Sequence, residues 1–299
     1  MAWSGCAGES DLENRSLVSA KARFRIGSVS KLITAAMAMR LYDRAALDLD
    51  APVQKYLPSF PDKGAPITAR LLLGHLGGIR HYGPNEYINR QRYTSIADTL
   101  KIVRDEPLSH PPRTRYLYSS YGFNLLGAVI EAASGADFAS TIQKHVCEPV
   151  GMNSTTIDEN DRIIPFRTRF YSTSGERIVN SPYTDLSDRW PSGGMLSTTE
   201  DLVRFGAAHL SGEFLKPETR RLMFTSQSTS DGKETGTGLA WRIGLLDGRR
   251  IYHHGGDSIG GRAFLLLLPE RGTAVALLAN FTSARFAEKE AAALADAIG

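Results

Sequence analysis

The pattern of apolar and polar positions changes character along the chain. From Val29 to Leu41 nearly every residue is apolar, Leu32, Ile33, Met37 and Met39 among them. These cover all faces of a 3.6-residue turn, which predicts a helix buried on every side. D-L-D-A-P-V at 48–53 and prolines at 58, 61 and 66 then mark a looped crossing. Helical spacing returns in shorter pieces: T-A-R-L-L-L-G-H-L from Thr68, then Ser95 to Asp105, Tyr121 to Ser134 and Ala136 to Cys147, with Gly135 breaking the last two. R-F-Y-S-T-S-G-E-R-I-V at 169–179 alternates about a Ser-Gly turn as a small hairpin. Ser197-Thr-Thr-Glu200 reads as a capping box for a helix to about Leu210, with a neighbour beginning near Pro217. Period two then takes over in G-L-A-W-R-I-G-L-L, R-I-Y-H-H, A-F-L-L-L-L-P and A-V-A-L-L-A-N-F, with the hairpin signal Asp247-Gly248 between the first two. Three or four antiparallel strands follow from this, closed by an Ala-rich helix from about Ser283. The expected class is α+β: one antiparallel sheet covered by the first and last helices, with a mainly helical region inserted. Residues 1–52 and 196–299 would form the sheet domain and 53–195 the helical domain, with a site between them. Residues 1–26 offer only short β-like pieces, so the sheet either lacks an edge element or begins at Ala2-Trp3.

Lys31 is the misfit in the first helix. An unpaired ammonium there is expensive, and burial lowers its pKa from roughly 10.4, so a neutral Lys31 could accept a proton. Ser28 lies one helical turn earlier on the same face. It stands at the helix N-terminus, where free N–H groups favour developing negative charge. Nucleophile, candidate base and anion stabiliser are thus neighbours. Ser230-Asp-Gly-Lys233 repeats the spacing, but inside the polar run S-Q-S-T-S-D-G-K-E-T-G, which predicts a loop.

Composition narrows the function class. Lys+Arg 35 against Asp+Glu 32 gives +3 with the charges interspersed, which argues against nucleic acid as a partner. No apolar run approaches the ~18 residues of a membrane span. The start M-A-W-S-G-C-A-G-E-S lacks the regions of a signal peptide. The expectation is a cytoplasmic protein as the chain stands, or a periplasmic one if a leader has been removed. Cys6 and Cys147 read as two free thiols, with a disulfide left open. His75, His81, His110, His145 and His209 fall in no metal-binding spacing, and ordinary structural histidines are expected. The chemistry calls for no cofactor.

The S-x-x-K arrangement of Ser28 and Lys31 resembles that of serine β-lactamases and penicillin-binding proteins. That resemblance implies a second element, Tyr118-Ser119-Ser120, with Tyr118 relaying protons beside Lys31. Ser120 stands where the family carries Asn, so one contact to a β-lactam side chain is weakened. Which of Lys31 and Tyr118 is the base stays open. The third element is His253-His254-Gly255-Gly256, where relatives have K-T-G or H-x-G. By resemblance the N–H of Gly256 joins that of Ser28 in an oxyanion hole. Ser120, His253, His254 and Gly255 would contact substrate, His253 as a pH-dependent anchor for a carboxylate; esterase-like members often show this replacement. Further matches are L-L-L-G-H-L-G-G-I-R-H-Y at 71–82, Gly151-Met152 with Ser154-Thr155, and W-P-S-G-G-M-L-S-T-T-E-D-L-V-R-F-G at 190–206. The segments R-T-R-F-Y, V-N-S-P-Y-T-D and R-W-P-S-G-G-M-L-S-T are most similar to the branch of mitochondrial serine β-lactamase-like proteins and their bacterial relatives. That branch is associated with peptidase-like activity and, in animals, filament assembly.

Gly256-Asp-Ser258-Ile-Gly260 also fits the G-x-S-x-G elbow of α/β-hydrolases, but no helix or later histidine follows it, and a turn between strands is expected. The favoured reading is a serine hydrolase that forms an acyl-enzyme on a small ester, amide or peptide, with β-lactams among the candidates. A catalytically idle binding or assembly module of the same fold is the alternative, and self-association is compatible with either. Ester, peptide and β-lactam share one acylation chemistry, so the motifs leave the substrate open.

Overall fold

The computed structural model describes residues 1–298, and four antiparallel strands organise its C-terminal part: β1 (Arg242–Leu246), β2 (Arg249–Ser258), β3 (Gly261–Leu268) and β4 (Thr273–Ala279), in the order β4-β3-β2-β1. Alternation along β3 divides the apolar residues between two layers. Ala263, Leu265 and Leu267 belong to the main core, whereas Phe264, Leu266 and Leu268 cluster with Ala291 and Ala295 of the last helix, α4 (Glu288–Ile298). That helix begins at Glu288 rather than near Ser283. No strand forms in residues 1–7, and β4 is an edge of the sheet.

The first long helix, α1 (Ser30–Asp43), is buried without exception from Ser30 to Met39. The expectation that it covers the sheet is met differently in detail. Helix α3 (Thr199–Ser211) lies on β3 and β4, and α1 runs deeper, against α2 (Ser120–Ser134) and the turn Trp190–Gly193. Its lead-in turn, Gly27–Val29, meets β2 and β3. One apolar core runs from Ile26 through the inserted helices to Ala276. Removing a buried side chain from it, such as Ile33, costs about 2–5 kcal/mol.

Three of the inserted helices start where expected and stop sooner, at Gly74 or where the chain passes into a tighter turn at Leu100–Ile102 and a wider one at Gln143–Cys147. Thr68, Ser95 and Asp137 each accept a backbone N–H at the start of Ala69–Leu73, Ile96–Thr99 and Phe138–Ile142. Thr198, not Ser197, caps α3, taking the N–H of Asp201 at 3.1 Å. Ser197 instead ends the strand Met195–Ser197, which pairs with Phe24–Arg25 and Thr156–Ile157 in a small sheet leading into the Gly27 turn. There Arg25 bonds buried Asp158 at 2.7 Å and the carbonyl of Ile259 at 2.9 Å, tying the lead-in of α1 to the β2–β3 turn. The hairpin Tyr171–Ser174 with Arg177–Asn180 forms as expected, and the G-x-S-x-G stretch is the end of β2 and its turn.

Candidate active site

Ser28 sits in the 3-10 turn Gly27–Val29 that runs straight into α1, and this places Lys31 one turn further along. Lys31 Nζ lies 3.2 Å from Ser28 Oγ, 3.0 Å from Ser120 Oγ and 2.5 Å from the carbonyl oxygen of Ser192. All three are neutral acceptors, and among the described residues no carboxylate pairs with this ammonium. Burial holds the Lys31 pKa well below its usual value, and the charges of Arg189 and Arg242 add to the depression. The amine is therefore biased toward its uncharged, proton-accepting form.

The second wall comes from the start of α2. Ser119 caps that helix through the N–H of Gly122 at 2.8 Å, so Tyr118 is held just outside the first turn and Ser120 just inside it. Lys31 Nζ is 4.9 Å from the Tyr118 ring centroid. Burial raises the Tyr118 pKa, with the neighbouring Ser28 hydroxyl pulling the other way. Lysine and tyrosine are thus both driven toward neutrality. His75, with φ +57°, packs tilted against Tyr118 at 4.4 Å between centroids.

The third wall is β2, brought against the nucleophile turn by two glycines. A Cβ on Gly256 would lie 1.9 Å from the carbonyl oxygen of Ile26, and one on Gly27, at φ +49°, would lie 2.5 Å from that of Asp257. No side chain fits at either position. The ladder corrects two sequence expectations. Both hairpins close on two-residue turns, pairing Leu246 with Arg249 and Ser258 with Gly261. By the alternation of antiparallel pairing, the N–H of Gly256 then points toward β3, and that of Asp257 toward the free edge beside Ser28. The β2 backbone N–H that faces Ser28 is therefore that of Asp257 and not that of Gly256, which serves close packing. The other correction concerns His253. Its ring lies on the α4 side of the sheet, 3.2 Å from the Glu288 carboxylate and 5.6 Å from the Phe264 centroid, and it does not line the cleft. His254 does, 6.1 Å from the Tyr118 ring, with its pKa pushed down to about 3 by burial and by Lys31.

These walls enclose a cleft of about 190 Å³ that gathers Ser28, Tyr118, Ser120, His254 and Gly255. Lys31 lies beneath it. The cleft also presents residues that sequence reasoning did not single out for the site: His81, Tyr82, Tyr87, Arg189, Arg242 and Asp257. Arg189 is bound to Asp188 at 2.6 Å and stacks 4.6 Å from the Tyr82 centroid. Arg242, at the start of β1, is exposed and lacks an acidic partner among the described residues. The period-two reading of β1 contained Arg242 but could not say that its strand ends at the cleft. Ser230 and Lys233 lie on an exposed loop, far in character from this site. No grouping of His, Cys, Asp and Glu among the described residues has the form of a metal site, and no single described helix is long and apolar enough to cross a membrane.

A serine at a helix start, a buried lysine one turn on, a tyrosine at the head of a second helix and a glycine-lined strand together match the fold shared by serine β-lactamases and penicillin-binding proteins. The family model described as Beta-lactamase matches residues 2–298, and the chain belongs to that family. It is 28% identical to the human serine beta-lactamase-like protein LACTB, mitochondrial, over 94% of this chain and 71% of that protein. Penicillin-binding protein 4 of Amycolatopsis lactamdurans is 29% identical over 86% of this chain and 72% of its own length. Among solved structures, the octameric penicillin-binding protein homologue from Pyrococcus abyssi superposes with a TM-score of 0.78 at 26% identity, covering 92% of this chain and 66% of that one.

Proposed function

We propose that this protein is a serine hydrolase that works through an acyl-enzyme on an ester or amide bearing a carboxylate. The observation that carries the reading is the fully buried Lys31, with only neutral oxygens around it, 3.2 Å from the Ser28 hydroxyl. Ser28 Oγ attacks the carbonyl carbon and its proton passes to neutral Lys31. The opposed pKa directions favour Lys31 as the base and Tyr118 as the phenol that hands a proton to the leaving group. The oxyanion is received by the N–H groups of Ser28 and Asp257; losing one such donor typically slows turnover about 10²- to 10³-fold. Water, activated by the same pair, then releases the acid. Arg242, exposed on the cleft wall, supplies the charge complement for a substrate carboxylate, the part that His253 cannot play.

The test is intact mass after treatment with a fluorophosphonate, wild type beside Ser28→Ala. A single adduct on the wild type, absent from the variant, is expected. An unlabelled wild type would overturn the hydrolase reading and favour an idle binding module.

A further inference from the structure

His81 is held in a single chemical form by its neighbours. Its Nδ1 lies 3.2 Å from the backbone nitrogen of Ser120. A backbone amide can only donate, so Nδ1 accepts and the ring proton of the neutral imidazole sits on Nε2. The ring is fixed in two directions, tilted against Tyr82 at 4.5 Å between centroids and edge-on to Tyr118 at 5.3 Å. Burial, with the charges of Lys31 and Arg189, pushes its pKa down to about 4, so the neutral form persists. Nε2 has no hydrogen-bond partner in the protein, yet it is not among the sealed-off nitrogens, as those of His75, His209 and His254 are. His81 is partly exposed, and the cleft is what it lines. A neutral N–H donor thus lines the same cleft as Arg242, on the wall of the inserted region and not on the strand.

Resting on the hydrolase reading above, we infer that His81 is a substrate-binding residue whose Nε2–H donates to an uncharged oxygen of the substrate, an amide carbonyl other than the one attacked. The two walls then ask for different things of one molecule. Arg242 takes an anionic group, and His81 takes a neutral acceptor. A substrate with a second amide group on its acyl part and a carboxylate elsewhere meets both, whereas a simple acyl ester meets neither.

The experiment compares His81→Phe with wild type on two p-nitrophenyl esters, one of N-acetylglycine and one of acetic acid. Phenylalanine keeps a flat ring against Tyr82 while removing both nitrogens. The loss in kcat/KM on the N-acetylglycine ester is expected to exceed that on the acetate by about tenfold, the effect of one neutral hydrogen bond. Equal losses on both esters would make His81 only a clamp for the Ser120 loop, and no loss on either would remove it from binding; both results overturn the inference. Should the variant not fold, imidazole ¹⁵N spectra of the wild type decide. A resonance with the proton on Nε2 that shifts when an amide-bearing phosphonate occupies Ser28, but not with a simple alkyl phosphonate, supports it; a proton on Nδ1, or equal responses, overturns it. Fluorophosphonate labelling of Ser28 is read first, so an unlabelled wild type marks failure of the hydrolase reading, with the ring tautomer still deciding whether His81 presents the donor.

Discussion

Two copies of one spacing, Ser28 with Lys31 and Ser230 with Lys233, sit in opposite surroundings. The first opens a helix whose next ten residues are all buried, and its lysine touches only neutral oxygens. The second lies on a loop where Ser230, Asp231, Gly232 and Lys233 are exposed and the N–H of Ser230 bonds the carbonyl of Arg113. Identical chemistry is available to both pairs on paper. What separates them is desolvation, because only a lysine removed from water gives up its proton readily enough to act as a base near neutral pH. The difference teaches that a nucleophile motif is an environment as much as a spacing.

The sharpest way to break the comparison is to exchange the serines. Ser28→Ala should lower acyl-ester turnover by at least about 10⁴-fold, while Ser230→Ala leaves it unchanged; steady-state hydrolysis measures both. A smaller gap is expected between the lysines. Lys31→Met should reduce turnover about 10²- to 10⁴-fold, the usual weight of a general base, against no change for Lys233→Met. Because acylation needs neutral Lys31, the wild-type rate should fall as pH is lowered through its depressed folded-state pKa.

The same burial has a stability signature. Between the depressed folded pKa of Lys31 and its unfolded value near 10.4, the unfolded chain binds the extra proton, so stability rises with pH across that window. Denaturant melts from pH 7 to 9.5 should show this rise in wild type and Lys233→Met, and a flatter profile in Lys31→Met. A rise of equal slope in Lys31→Met would mean that Lys31 is not the group responsible. The smallest effect is expected at the rim. Arg242→Gln should raise KM for an anionic ester about fivefold relative to a neutral one, with kcat little altered.

Much of the site was legible because its chemistry is local. Ser28 and Lys31 are one turn apart on a helix whose apolar run announces its burial, and Tyr118 and Ser120 flank the cap of another. The strand was harder to read. His253 and His254 are adjacent histidines, and alternation says that they face opposite ways without saying which way holds the cleft. Only α4, which brings Glu288 to His253, and Tyr118, which lies by His254, decide it. The same ambiguity concealed that the β2 N–H facing Ser28 is that of Asp257 and not that of Gly256. His81 looked like an ordinary structural histidine because its partner, the N–H of Ser120, is 39 residues away in the chain.

The sequence by itself determined the class of fold, the buried helix, the antiparallel sheet and the pairing of Ser28 with Lys31, since each depends on periodicity or on contacts within one helical turn. The tertiary structure decided which face of β2 meets the nucleophile, which helix covers the sheet, and which distant donors and cations line the cleft. Those choices depend on how elements pack, and packing joins residues whose separation along the chain carries no period for a reader to detect.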